Sequence, residues 1–147
     1  MIQIVKMEPC HVAQVAKLEK LCFSDPWSER SVAGELTNPL SLWLVAVDDG
    51  KVVGYVGSQT VMGEADMMNV AVDPRYRRGG VGQALILSLI DALIAHDCYQ
   101  LTLEVRASNR EAISLYQKLG FAQVGRRPNY YRNPKEDACI LRKEWTL

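Results

Sequence analysis

Residues 70–82 are the stretch of this chain best suited to chemistry: Val-Ala-Val-Asp-Pro-Arg-Tyr-Arg-Arg-Gly-Gly-Val-Gly. An apolar strand that enters a helix through an Arg- and Gly-rich turn directs unpaired N–H groups and the positive end of the helix dipole at the space above it. Glycines let a ligand approach the backbone closely. The turn therefore predicts an anion site with phosphate as its natural occupant, against the alternative of a plain strand-to-helix turn with solvated arginines.

Spacing excludes two common nucleotide motifs from this turn. A Rossmann fingerprint requires G-x-G-x-x-G, and a Walker A loop requires Gly-Lys-Ser/Thr after four spacer residues. Residues 77–82 read Arg-Arg-Gly-Gly-Val-Gly, which is the pattern Q/R-x-x-G-x-G/A and matches neither motif. The expected ligand is a phosphate compound other than a nucleoside triphosphate or a dinucleotide.

Composition favours a small phosphorylated ligand over a polyanion. The chain has 147 residues, enough for one domain. Its 17 Lys+Arg residues balance its 17 Asp+Glu residues, and such a balanced charge does not predict a broad surface for nucleic acid or membrane. Four cysteines without a C-x-x-C pair and two histidines offer no zinc spacing, so we expect no metal and free thiols. The first residues, Met-Ile-Gln-Ile-Val-Lys, are typical of neither a signal peptide nor a membrane span, and we expect a cytoplasmic location.

Hydrophobic periodicity and turn residues predict the elements that must position the turn. The expected order is β-α-α-β-β-β-α-β-α-β-β, an α/β fold in which a mixed sheet carries helices on both faces. Ser108 and Glu111 match a capping box at the start of the last helix, and Gly120 is its expected left-handed end. The predicted strands are 2–6, 42–47, 52–61, 67–72, 100–105, 122–126 and 138–142, and the predicted helices are 9–22, 28–36, 80–95 and 108–120.

Segment 69–82 resembles motif A of the GNAT family of acetyl-CoA-dependent N-acyltransferases. Three further blocks are similar to that family and stand in the right order: Pro-Trp-Ser at 26–28, Leu-Glu-Val-Arg-Ala-Ser-Asn at 103–109, and Asn-Tyr-Tyr at 129–131. Arg77 stands where Gln is common, and either side chain can donate to phosphate. The resemblance spans almost the whole chain and implies the GNAT fold in one domain, residues 1–147.

The resemblance implies that the anion is the pyrophosphate of acetyl-CoA, the cosubstrate. In the family, the strand before the turn hydrogen-bonds the pantetheine arm, and one of its N–H groups polarises the thioester carbonyl. Asn109 is expected near the pantetheine or cysteamine end, with helix capping as the alternative. The implied cofactor-binding residues are Val70, Ala71, Val72, Arg77, Arg78, Gly79, Gly80, Val81, Gly82, Gln83 and Asn109.

The same resemblance implies Glu104 as general base and Tyr116 as general acid. Acetyl transfer needs a neutral amine, and an α-amino group with a pKa of about 8 is roughly one tenth neutral at pH 7, against less than about 0.1% for a lysine side chain. A modest base therefore suffices for a protein N-terminus. The alternatives are a Glu104 carboxylate held by Arg106 or a neighbouring basic group, and a Tyr116 that only fills the core.

The most similar branch of the family acetylates the N-terminal alanine of bacterial ribosomal protein S18, which implies the N-terminal peptide of that protein as acceptor and partner. Trp27, Tyr130 and Tyr131 would wall the peptide groove. Two alternatives stay open. One is a GNAT enzyme for other protein N-termini or for a small-molecule amine. The other is a non-catalytic acyl-CoA-binding sensor, which would need neither Glu104 nor Tyr116.

Overall fold

The computed structural model describes residues 1–147 and has the predicted order β-α-α-β-β-β-α-β-α-β-β. The strands are β1 (Ile2–Lys6), β2 (Ser41–Asp48), β3 (Lys51–Val61), β4 (Glu64–Val72), β5 (Gln100–Arg106), β6 (Ala122–Tyr131) and β7 (Glu136–Glu144), and the helices are α1 (Val12–Cys22), α2 (Glu29–Glu35), α3 (Val81–Ala95) and α4 (Arg110–Lys118). All seven strands form one sheet in the order β1-β2-β3-β4-β5-β7-β6. Neighbouring strands are antiparallel except β4 and β5, so the predicted mixed sheet is confirmed.

Helices cover both faces of the sheet, as predicted, and each face has its own core. In the larger core, Leu85 and Leu89 of α3 pack with Tyr116 of α4 and the inner side chains of the strands. In the smaller core, Val15 of α1 and Val32 of α2 pack against β2 and β3. These two leucines and two valines are fully buried, and each such burial stabilises the fold by about 1.5–3 kcal/mol. The packing of α3 fixes its N-terminus relative to β4.

β4 and β5 pair over only part of their length. Their parallel ladder joins residues 64–66 to residues 100–102. Beyond it, β4 continues to Val72 and pairs only with β3, whereas β5 continues to Arg106 and pairs only with β7. The ladder of β3 and β4 has a register shift between Gly57 and Ser58, where β4 carries one extra residue. The carboxyl halves of the two parallel strands therefore diverge, which leaves backbone groups of both strands facing an opening.

The start of α4 corrects one prediction. The N-cap is Asn109, whose Oδ1 accepts the Ala112 N–H at 3.1 Å, so the capping box formed by Ser108 and Glu111 is wrong. The Ser108 N–H, which Glu111 would have to bind in such a box, donates instead to Glu136 of β7 at 2.6 Å. A carboxylate from a distant strand thus moves the helix start by one residue.

The end of α4 agrees with the prediction. Gly120 has a φ of 99°, and the Phe121 N–H donates to the Tyr116 carbonyl at 2.9 Å. This is the left-handed glycine end in which the chain turns back across the last helical turn. Phe121 consequently returns into the larger core beside Tyr116.

Six of the seven strands are longer than predicted, and β4, β6 and β7 gain three to five residues each. β4 begins at Glu64 rather than at residue 67, and β6 runs to Tyr131 rather than ending at residue 126. Residues 129–131 therefore belong to the β6–β7 hairpin, with Tyr131 paired to Glu136 across a register shift. None of the four helices is long and apolar enough to cross a membrane.

Candidate active site

The turn between β4 and α3 presents a cradle of unpaired backbone donors. Residues 77–80 are exposed, and Gly80 forms the N-cap of α3 with a φ of 82° and no side-chain cap. The first helical bond runs from the Ala84 N–H to the Gly80 carbonyl at 3.0 Å, so the N–H groups of residues 81–83 have no partner in the protein. Unpaired N–H groups at the start of a 15-residue helix attract anions. The cradle therefore fits a phosphate or pyrophosphate.

The arginines around this turn have different roles. Arg75 bonds the buried Asp73 carboxylate at 3.0 Å, and that hydrogen bond is the main reason that the pKa of Asp73 falls to about 2. Arg77 donates its Nε–H to the Val72 carbonyl at 3.2 Å and so bonds back to the end of β4. Arg78 is exposed and has neither an ion pair nor a hydrogen bond. Arg78 is consequently the arginine of this turn that is free to meet a ligand.

The end of β4 offers two backbone donors to the opening beside β5. The Asp73 N–H bonds the Val53 carbonyl of β3 at 2.8 Å. Because N–H directions alternate along a strand, those of Ala71 and Asp73 face β3, whereas those of Val70 and Val72 face the side from which β5 has diverged. The Val70 N–H has only a local bond, to Asn69 Oδ1 at 3.2 Å. Of the three strand residues predicted to bind the cofactor, Val72 thus has a free donor, and Val70 has one that a ligand would take over from Asn69 Oδ1.

Glu104 lies on β5, with 29% of its side chain exposed. Its Oε2 lies 2.9 Å from Nε of Arg127 on β6, but the geometry gives that oxygen no hydrogen bond. The contact is therefore a charge contact without an aligned N–H donor. Arg106, the partner considered from sequence, bonds Glu136 and the carbonyls of Arg132 and Pro134 instead. Because Oε2 is buried against Arg127, an incoming polar group would bond the other oxygen, Oε1, or displace Arg127.

Tyr116 is 6% exposed and faces the larger core from α4. Its ring meets that of Phe121 edge-on, with centroids 5.5 Å apart and planes at 65°. Its hydroxyl makes no hydrogen bond to any protein group, and burial raises its pKa to about 12. The phenol is therefore protonated at neutral pH and has a proton to donate.

Tyr130 and Tyr131 stand beside Glu104 at the end of β6. Their rings are nearly perpendicular, with centroids 5.1 Å apart. Arg106 lies 4.4 Å above the Tyr131 ring, and Arg127 lies 5.9 Å from the Tyr130 ring. Burial, followed by the Glu104 charge, raises the pKa of Tyr131 to about 12 and raises that of Tyr130 as well. The two rings and two guanidinium groups form a wall on one side of the carboxylate.

Trp27 and Asn109, two further predicted site residues, have structural roles. The Trp27 ring packs edge-on against Trp43 of β2 at 5.3 Å and is half-buried in the smaller core. The Asn109 side chain caps α4. Trp27 borders a shallow depression with Asp25, Pro26 and Ser28, so part of this segment remains accessible.

Sequence reasoning missed two residues of this region. Glu19 is fully buried near the end of α1, although it stands on the apolar face of a predicted helix, where a charged residue is a signal in itself. In the sequence Arg127 is only one of two adjacent arginines, Arg126 and Arg127. Its contact with Glu104 depends on the strand order, in which β6 and β5 lie on either side of β7.

Known proteins resemble this chain over nearly its full length. The profile of the acetyltransferase (GNAT) family matches residues 12–121. The ribosomal protein bS18-alanine N-acetyltransferase of Escherichia coli K12 is 38% identical over 140 residues, covering 94% of this chain and 94% of that protein. The crystal structure of the E. coli ribosomal-protein-S18-alanine N-acetyltransferase has a TM-score of 0.92 at 36% identity, over 100% of this chain and 96% of that chain. Arabidopsis thaliana NAA60 in complex with acetyl-CoA has the same fold, with a TM-score of 0.89 at 18% identity over 98% of each chain.

Proposed function

The chain belongs to the GNAT acetyltransferase family, and from that premise we propose that it acetylates the N-terminal alanine of ribosomal protein S18. Acetyl-CoA is the acetyl donor. The observation that carries the proposal is the 38% identity over 94% of both chains to an enzyme named for that acceptor. Since the proposed acceptor is a ribosomal protein, we propose the cytoplasm as the place of action.

The backbone of the β4–α3 region supports the proposed mode of donor binding. The unpaired N–H groups of Val81, Gly82 and Gln83 would hold the pyrophosphate, with Arg78 as the nearby cation. The N–H groups of Val70 and Val72 would bond the pantetheine arm in the opening beside β5. Of the other predicted contacts, Gly79 and Gly80 shape the turn, and Asn109 would approach the thiol end of the pantetheine from the start of α4.

Glu104 is proposed as the general base. The α-ammonium of a protein N-terminus has a pKa of about 8 and loses its proton readily near neutral pH. This half-buried carboxylate can take that proton on Oε1, or on Oε2 once Arg127 has moved away, directly or through one water molecule. The neutral amine then attacks the thioester carbonyl, so that the nitrogen–carbon bond forms, the carbonyl oxygen becomes negative and the nitrogen becomes positive. As the amide forms, the nitrogen loses its second proton to solvent, and solvent restores the proton that the general acid gives to sulfur.

Tyr116 is proposed as the general acid. When the tetrahedral intermediate collapses, the carbon–sulfur bond breaks and CoA leaves as a thiolate. A phenol is protonated at neutral pH, and the Tyr116 hydroxyl has no protein partner, so it can give this sulfur its proton. The acetyl group would pass directly from sulfur to nitrogen in a ternary complex. No cysteine lies on β4 or on β5, and Cys139, which pairs with Val105 across the sheet, is buried.

Arg127 competes with the acceptor for Glu104. Its guanidinium is 2.9 Å from the carboxylate and its side chain is 57% exposed. An exposed ion pair of this kind contributes only about 0–1 kcal/mol. A positively charged N-terminus can therefore replace Arg127 at the carboxylate at little cost, while the Tyr130 ring remains beside it.

Mass spectrometry of acetylated peptides tests the proposal. The enzyme and acetyl-CoA are incubated with a peptide that matches the N-terminus of S18, and with the same peptide already blocked at its α-amine. We expect one acetyl group on the first peptide, assigned to the terminal alanine by fragmentation, and none on the second. Acetylation of polyamines or aminoglycosides in place of the peptide would contradict the proposed acceptor. Binding of acetyl-CoA without turnover on any amine would contradict the proposed enzyme activity.

A further inference from the structure

One buried carboxylate bonds both flanks of the proposed site. Glu19 of α1 is 0% exposed, and both of its carboxylate oxygens are occupied. Oε1 accepts the Trp27 N–H at 2.8 Å. Oε2 accepts Asn69 Nδ2–H at 2.6 Å and also the Tyr55 hydroxyl proton. Three donors from three separate segments therefore converge on one side chain.

The segments joined by Glu19 are those proposed to meet the two substrates. Trp27 belongs to the segment between α1 and α2, which the family resemblance assigns to the acceptor. Asn69 immediately precedes Val70 on β4, and its Oδ1 accepts the Val70 N–H at 3.2 Å. A continuous chain of hydrogen bonds thus runs from the acceptor segment through Glu19 and Asn69 to the backbone of β4, the strand proposed to bind acetyl-CoA.

Aromatic contacts connect Trp27 and Tyr55, two of the residues that donate hydrogen bonds to Glu19. Tyr55 stacks on Trp43 with centroids 5.8 Å apart and planes at 10°, and Trp43 meets Trp27 edge-on. Trp43 lies against the bare backbone of Gly57, where an added Cβ would come within 2.5 Å of the ring. The Tyr55 side chain therefore takes part in both connections, through its hydroxyl and through its ring.

We propose that Glu19 is a positioning residue, which sets the acceptor segment at a fixed distance from the donor strand β4. The proposal rests on the proposed function, since it assumes that these two segments bind the two substrates. Burial raises the pKa of the Glu19 carboxyl, and the bonds from Trp27 and Asn69 oppose that rise in part. A buried carboxylate is an expensive way to gain stability alone, because apolar side chains of similar volume often serve as well.

Glu35 provides a matched control within the same chain. It is also a buried carboxylate, 9% exposed, and it also accepts three hydrogen bonds. Its donors are Trp43 Nε1–H at 3.3 Å, Gln59 Nε2–H at 2.8 Å and Asn38 Nδ2–H at 3.2 Å. None of these donors lies on β4 or in the segment that contains Trp27. Trp43 also contacts the Trp27 ring, so Glu35→Gln can disturb the aromatic contact, but it leaves the hydrogen bonds from Trp27 through Glu19 to Asn69 in place. Glu35 therefore reports the structural cost of disturbing a buried carboxylate next to the proposed hydrogen-bonded link.

The experiment compares Glu19→Gln with Glu35→Gln in the full chain. A carboxamide places an N–H donor where one carboxylate oxygen accepted, so we expect both variants to lower the thermal midpoint. We expect only Glu19→Gln to raise KM for the S18 peptide and to weaken acetyl-CoA binding, each by about tenfold, which is the loss expected when one hydrogen bond to the ligand is misplaced. Acetyl-CoA affinity is measured by calorimetry and KM by steady-state turnover.

Tyr55→Phe extends the test if Glu19→Gln does not fold. Phenylalanine retains the ring stacking on Trp43 and removes one donor to Glu19, so we expect a smaller change of the same kind. The proposal would be overturned if the Glu19 and Glu35 variants had equal KM values and equal acetyl-CoA affinities. If Glu19→Gln does not fold, it would be overturned by a Tyr55→Phe variant whose KM and acetyl-CoA affinity equal those of wild type. Either result would leave the proposed function intact. Wild-type enzyme that acetylates no peptide would overturn the proposed function instead.

Discussion

The half of the proposed site assigned to acetyl-CoA and the half assigned to the acceptor would recognise their ligands by different means. The donor half, which comprises β4, the turn at 77–80 and α3, offers mainly backbone N–H groups to its ligand. The acceptor half, which comprises residues 23–28 together with β6 and β7, offers side chains such as Tyr130 and Arg127. Backbone donors depend on the local course of the chain, whereas a side-chain wall depends on which strands become neighbours. The donor half can therefore keep its function through many side-chain changes that the acceptor half would not tolerate.

The two halves also differ in how firmly the rest of the fold holds them in place. The donor half is fixed by α3, whose leucines are fully buried in the larger core. β6 lies at the edge of the sheet, and most of its residues are exposed. An edge strand with few buried side chains opens at lower free-energy cost than a core helix. We therefore expect an acceptor to adjust β6 and a donor to meet a preformed cradle.

Of the variants considered, Glu104→Gln should show the largest difference between the two halves of the site, because it should lower turnover without changing acetyl-CoA binding. The carboxamide keeps the shape of the side chain but cannot take a proton, so we expect kcat to fall by about 10²–10⁴-fold. Acetyl-CoA affinity should stay unchanged, because the donor half is intact. Turnover and calorimetric titration check both values, and an unchanged kcat would remove Glu104 from the role of base.

Tyr116→Phe should lower kcat by roughly 10²-fold with little change in stability. The hydroxyl has no protein partner, so its removal leaves no buried group unsatisfied, and the ring can keep its contact with Phe121. Thermal unfolding and single-turnover rates are measured on the same samples. A variant with wild-type turnover would return Tyr116 to a packing role.

Gly80→Ala should weaken acetyl-CoA binding by roughly tenfold, and Gly50→Ala is its matched control. Both glycines have a φ of 82°, and an added Cβ meets nothing within 4 Å at either position. Each alanine should cost about 1–2 kcal/mol of stability, because a side chain disfavours this conformation. Only Gly80 shapes the cradle, so equal loss of affinity in both variants would contradict the donor site.

Asp73→Asn should have the smallest effect and should appear in the pH dependence of stability. The folded-state pKa of Asp73 is about 2, below the unfolded value of about 3.9. The carboxylate therefore stabilises the fold above about pH 4, and that contribution is lost as the pH falls toward 2.

Thermal midpoints of wild type and Asp73→Asn are compared from pH 6 down to pH 2. We expect a gap of roughly 2–4 °C near neutral pH that closes in acid. Asp25→Asn serves as the control, because Asp25 is exposed and has no ion pair or hydrogen bond. A gap between wild type and Asp73→Asn that persists at pH 2 would contradict the ionic origin of the contribution.

Most of the fold was predictable, because its elements have strong local signals. Apolar periodicity predicted the order of strands and helices, and the predicted helix 28–36 is α2, with Ser28 as its N-cap through a bond from the Ser31 N–H. The prediction for α4 was wrong at one end, because Glu136 binds the Ser108 N–H from 28 residues away. No local pattern contains that contact.

The sequence by itself determined the anion cradle, since a strand, a glycine turn and a helix N-terminus need only consecutive residues. Only the tertiary structure decided that β4 and β5 part beyond residues 66 and 102, that Arg127 rather than Arg106 meets Glu104, and that Glu19 joins Trp27 to Asn69. The bond between Glu19 and Asn69 spans 50 residues. Strand order and burial bring such residues together, and local backbone preferences do not encode either.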